Sequence, residues 1–110
     1  MQILLLGDIS LKRSKQKKIL ITGAGSGLGK MAAIALAKRG HNVYATTMYE
    51  NEANVLQTYA NDNLLNITSF KMDINSKKDR QKISGIYFDV LINNAAIGDS
   101  GRISEINIDR

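Results

Sequence analysis

"ITGAGSGLGK", residues 21–30, sets four glycines in the seven positions from 23 to 29, between an apolar run and an alanine-rich one. Glycines crowd like this where a backbone turns tightly or lets something come close to it. Three phosphate-loop patterns compete for the stretch, and register separates them. A P-loop needs G-x-x-x-x-G-K-[ST]. With Gly29-Lys30 in place, its first glycine falls on Ala24, and Met31 stands where the Ser/Thr metal ligand belongs. The G-x-G-x-x-G turn fails as well, ending on Leu28 if begun at Gly23 and on Lys30 if begun at Gly25. T-G-x-x-x-G-x-G fits, through Thr22, Gly23, Gly27 and Gly29.

The spacing has a physical reading. Gly23 lets a strand turn sharply, Gly27 lets the backbone approach a pyrophosphate, and Gly29 lets the following helix sit tight against a sheet. Free N–H groups at the helix start, with the positive end of its dipole, favour the anion. Ser26 adds a hydroxyl donor. Lys30, which made the loop resemble that of an NTPase, reads as a solvated helix residue.

Around the loop, strand-like and helix-like stretches alternate. "KKILITG" is a β-branched and leucine run ended by glycine. "GKMAAIALAKRG" is a strong helix former with Gly40 as its C′ residue. "NVYATT" is a second strand, "YENEANVLQTYAND" a second helix and "ITSFKMD" a third strand. "NSKKDRQKIS" is a weaker helix in which Ser76 and Asp79 resemble a capping box. "FDVLINNAA" is a fourth strand, and "RISEINIDR" opens a further helix. The order β-α-β-α-β-α-β predicts an α/β fold: a Rossmann-type, doubly wound parallel sheet, strand order 3-2-1-4, with helices on both faces.

The 110-residue chain suffices for one domain. It has no cysteine, which excludes disulfides and thiolate chemistry and fits a reducing, cytoplasmic setting. The net charge of +5 is local: Lys12, Arg13, Lys15, Lys17 and Lys18 stand against Asp8 alone, leaving +4 in the first eighteen residues and +1 beyond them. Residues 1–16 therefore read as a basic, flexible extension, and 17–110 as the domain proper. A phosphate- or membrane-contacting arm is the alternative, but no interleaved aromatics support nucleic-acid binding. The apolar stretch from Ile3 to Leu6 is far below the roughly 18 residues of a membrane span. Its lysines follow it, the reverse of a secretory signal. His41, the sole histidine, lies in a Gly-His-Asn turn away from the expected ligand edge and reads as exposed.

Two later motifs join the glycine loop. Asp73-Ile74 closes the third strand, and "NNAA", Asn93 to Ala96, closes the fourth. With Thr22, Gly23, Gly27 and Gly29 they resemble the short-chain dehydrogenase/reductase family, N-terminal half only, from about Lys17 onward. The resemblance implies NAD(P)-dependent hydride transfer between carbonyl and alcohol. It also implies a cofactor site made of Gly23, Gly25, Ser26, Gly27, Leu28, Gly29, Thr47, Met48, Asp73, Ile74, Asn94, Ala95 and Ala96. Asp73 would bond the adenine, with a capping or solvated aspartate as the alternative. Asn93 would brace neighbouring strands, while Asn94 and the alanines line the ribose-nicotinamide side. Ala96 departs from the family's glycine.

After the second strand, a carboxylate would accept the ribose 2′-OH of NAD and a base would pair with the 2′-phosphate of NADP. Thr46-Thr47-Met48 offers neither, and the missing acid leans slightly toward NADP. The family's Tyr-x-x-x-Lys is absent: Met48, Ala53, Asn63 and Leu91 stand four residues after Tyr44, Tyr49, Tyr59 and Tyr87. Asn107 comes too early for the catalytic asparagine. The expectation is a nucleotide half without its catalytic half, inactive alone, with an apolar fourth strand left open at one edge. A full-length parent would act on a small carbonyl or alcohol and form homo-oligomers. A non-catalytic dinucleotide-binding module and a non-functional truncated product are the alternatives.

Overall fold

Buried on both faces, the second strand organises the sheet. The computed structural model describes residues 2–5 and 16–94. Its elements are β1 (Gln2–Leu5), β2 (Lys18–Thr22), α1 (Gly27–Lys38), β3 (Asn42–Thr47), α2 (Glu50–Asp62), β4 (Ile67–Lys71), α3 (Lys77–Arg80) and β5 (Val90–Asn93). A single 3₁₀ turn, Gln81–Ile83, follows α3. The strands align in the order β1-β5-β2-β3-β4.

Side chains alternate across a strand, so β2 sends Ile19 and Ile21 to one face and Leu20 to the other. On the first face they meet Ala33 and Ala37 of α1 and Leu56 and Ala60 of α2. The small alanines let α1 approach the sheet closely. On the second face Leu20 and Leu91 pack with Ile83 and Phe88. The Phe88 ring stands edge-on to Tyr44, with centroids 5.3 Å apart. The four parallel strands, β4-β3-β2-β5, stand in the predicted order. Among the described residues α1 and α2 both cover the first face, whereas the second, expected to carry a helix too, is covered by the 3₁₀ turn and Phe88, with α3 burying no residue.

The N-terminus differs from expectation. Gln2–Leu5 is a fifth strand, antiparallel to β5, with Gln2 opposite Asn93 and Leu5 opposite Val90. The open edge foreseen for the fourth strand is therefore closed. A Gln-Ile-Leu-Leu run is too short for a membrane but long enough for an edge strand, and the lysines after it do not interrupt the pairing. Ile3 and Leu4 keep much of their surface exposed, at 59% and 39%. Ala95, Ala96, Asn107 and the helix expected from "RISEINIDR" lie outside the described residues.

Gly40 has φ of +94°, and its N–H bonds the Ala37 carbonyl, ending α1 as predicted. His41 is half-buried rather than exposed. Its Nδ1 accepts the Lys17 N–H at 3.0 Å, tying the turn to the start of β2.

Candidate functional site

The parallel strands β2 and β5 end together on one edge of the sheet, which is where open α/β sheets take ligands. Thr22 closes β2 beside Asn93 of β5, and its hydroxyl donates to Asn93 Oδ1 at 2.7 Å. Both side chains are buried, so each satisfies a group that would otherwise be costly. Asn93 thus braces its neighbour strand as expected. Asn94 turns outward: its N–H donates to the Thr22 carbonyl and its Nδ2 to the Gly23 carbonyl, both at 3.2 Å.

The glycines of the loop differ in what they are for. Gly23 and Gly27 have φ of +69° and +58°, the left-handed region that side chains resist. Gly29 is required by contact instead. A Cβ there would collide with the Gly23 carbonyl and come within 2.5 Å of Asn94 Nδ2. The first turn of α1 therefore lies directly against the ends of β2 and β5, as the spacing predicted. Around Gly27 the position of a Cβ is open, with nothing within 4 Å. Ala24 donates to the Thr46 carbonyl at 2.8 Å and anchors the loop to β3. Among the described residues nothing accepts from the N–H groups of Gly25 or Ser26.

A cavity of about 360 Å³ opens above this edge. Six of the residues read from the sequence are on its wall: Gly23, Gly25, Ser26, Met48, Ile74 and Asn94. Leu28 is 59% exposed on α1 and off the wall. Thr47 is buried, its hydroxyl donating to the Tyr49 carbonyl at 2.7 Å, so it shapes the turn after β3 from within. Asp73 also stands off the wall, between Met72 and Ile74, which are on it. One oxygen of Asp73 accepts the Asn75 N–H at 2.9 Å. Sequence reasoning missed Tyr49, Glu52 and Met72. Glu52 lies in the first turn of α2.

Beneath Asp73, half of the expected capping box forms: Ser76 Oγ accepts the Asp79 N–H at 3.1 Å. The Asp79 carboxylate turns instead to the Asp73 N–H, at 2.9 Å, and to Lys71 Nζ, at 3.4 Å. The Asp73 N–H, against the opposing effect of burial and with help from Lys71, holds the Asp79 carboxyl below its ordinary value.

A dinucleotide suits these parts. Unspent N–H groups at Gly25 and Ser26 and the bare backbone at Gly27 suit an anion. Met72 and Ile74 offer an apolar wall for a planar ring. Among the described residues no helix is long and apolar enough to cross a membrane.

Known proteins resemble this chain. A solved structure, the bulky-bulky ketone specific alcohol dehydrogenase from Comamonas testosteroni, superposes with a TM-score of 0.62 at 30% identity, covering 86% of this chain and 41% of that one. A 3-ketodihydrosphingosine reductase of Bacteroides thetaiotaomicron is 37% identical over 91 residues, 77% of this chain and 30% of its own. The 3-oxoacyl-acyl-carrier-protein reductase of Escherichia coli is 35% identical over 85 residues, 74% of this chain and 34% of its own. The chain spans about a third of the length of these curated relatives. The short chain dehydrogenase family model matches residues 17–110, and the chain belongs to that family.

Proposed function

We infer that the site binds a nicotinamide dinucleotide, NAD or NADP, for an oxidoreductase acting on a small carbonyl or alcohol. The observation that carries this reading is the closure of Gly29 on Gly23 and Asn94 beneath a cavity walled by the glycine loop. Residues 17–110 form the dinucleotide-binding half of the domain, and residues 1–16 are a basic extension whose Gln2–Leu5 adds the edge strand β1 to its sheet. Bound there, the nicotinamide supplies or takes up the hydride.

The chain's own residues do the holding. The loop's N–H groups and the start of α1 take the pyrophosphate, Ser26 adds a hydroxyl, and Asn94 fixes the loop from β5. Ile74, with Asp73 beside it, serves the adenine side, and Met48 the ribose side. Gly27 and Gly29 keep the approach clear, while Leu28 and Thr47 support the loop and the turn. The sequence contains no Tyr-x-x-x-Lys, so the chain alone binds without turnover. We place the parent enzyme in the cytoplasm as a homo-oligomer. The end of β3 by itself leans toward NADP. However, α2 brings a carboxylate to the same wall.

Calorimetric titration of the purified 110-residue chain with NADH and with NADPH tests the reading. One dinucleotide per chain is expected, with no oxidation of the reduced cofactor when ketones are added. Heat no greater than dilution for both cofactors would sink it.

A further inference from the structure

We propose that Glu52 sets the cofactor preference of this site, toward the dinucleotide with a free ribose 2′-hydroxyl and against the one with a 2′-phosphate. The proposal rests on the dinucleotide reading above and reverses the lean that the end of β3 gives by itself.

It starts from Gly25. Gly23, Gly27, Gly40 and Gly85 have positive φ, but Gly25 does not, so its backbone conformation does not call for glycine. What fills the space beside it is Glu52. A Cβ on Gly25 would collide with Glu52 Oε1, come within 2.5 Å of Cδ and stand 3.1 Å from Cβ. The bare Cα of Gly25 is the seat of the Glu52 carboxylate.

The chain places that carboxylate by packing. Ala53, Leu56 and Ala60 form the buried face of α2, which fixes the helix on the sheet and leaves the preceding residue facing the glycine loop. Glu52 is half-buried and lines the cavity between the loop and the turn at Met48 and Tyr49. Among the described residues it has no hydrogen-bond or ion-pair partner. Nor does any Lys or Arg stand on the described wall of the cavity. A negative charge therefore faces the site without a positive one to offset it.

The corner beside the end of the second parallel strand is where this architecture meets the ribose hydroxyls, while the pyrophosphate goes to the helix start. A carboxylate accepts hydrogen bonds and donates none, so a ribose hydroxyl satisfies it. A 2′-phosphate brings negative charge and further acceptors, and the partly enclosed corner screens their repulsion less than bulk water does.

Titrations of the full chain and its variants test the assignment, with thermal melts confirming that each variant is folded. The wild type should bind NADH at least about tenfold tighter than NADPH, the scale of one charge-assisted hydrogen bond. In Glu52→Gln the two affinities should come within roughly threefold, because the amide neither repels phosphate nor loses the hydroxyl altogether. Gly25→Ala approaches the same carboxylate from the other side. Its methyl meets the flexible end of Glu52, so the melting temperature should hold while the NADH/NADPH ratio falls. If the wild type binds both cofactors but prefers NADPH, or if neither variant changes the ratio, the role of Glu52 is overturned and the dinucleotide reading stands. If the wild type binds neither cofactor, both are overturned.

Discussion

Two glycine turns at opposite edges of the sheet make an instructive pair. At the lower edge, between α1 and β3, every backbone N–H of the turn is used. The N–H groups of Arg39, Gly40 and His41 bond carbonyls of the last turn of α1, and Asn42 bonds the Lys17 carbonyl. The Gln16 amide and the His41 ring add two further ties. At the upper edge, between β2 and α1, the loop is anchored through Ala24 and Asn94, and the N–H groups of Gly25 and Ser26 have no acceptor among the described residues. Both turns contain glycine in the left-handed region. Conformation alone therefore does not separate a hinge of the fold from the proposed binding loop; the separating fact is which N–H groups are left over.

Three substitutions probe the contrast. The largest effect belongs to Gly29→Val. Its side chain would meet the Gly23 carbonyl and the Asn94 amide, and since backbone cannot yield easily the cost should be about 2–3 kcal/mol. Denaturant titration should register that loss, and calorimetry the disappearance of dinucleotide binding. Normal binding in this variant would break the claim that Gly29 holds the loop closed.

Gly40→Ala comes next. It has φ of +94° but open space for a methyl, so only conformation opposes it, at about 1 kcal/mol. A lower melting point with cofactor affinity unchanged within roughly twofold is expected. A large loss of affinity would show that the two edges are coupled.

The smallest effect comes from acid. Because the Asp79 carboxyl is held below its ordinary value of 3.8, its charged form contributes stability that is present above that value. That contribution is lost as pH falls through the depressed folded value. Melting temperatures from pH 5 downward should fall less steeply in Asp79→Asn than in the wild type. Parallel curves would remove Asp79 from the account.

What could be read beforehand follows the range of each interaction. The loop was legible because turn, approach and helix packing are local demands on single residues, which only glycine meets. Asn93 and Asn94 were legible because two amides ending an apolar strand need partners. Thr47 was read as a cofactor residue, but its hydroxyl is spent on the turn that follows, a detail no spacing reveals. Glu52 was not legible as a site residue, since its place on the cavity wall depends on how α2 settles against β3. The partner of β1 lies some ninety residues away in sequence, beyond any local signal.

That last pairing bears on the order of assembly. Pairing Gln2 with Asn93 and Leu5 with Val90 joins segments from nearly opposite ends of the described chain. On the ribosome β1 waits until β5 has emerged. In refolding, its closure carries the highest loop entropy of any pairing in the sheet. Although made before its partner, β1 is thus among the last strands to find its place, and β2, β3 and β4 provide the template that it completes.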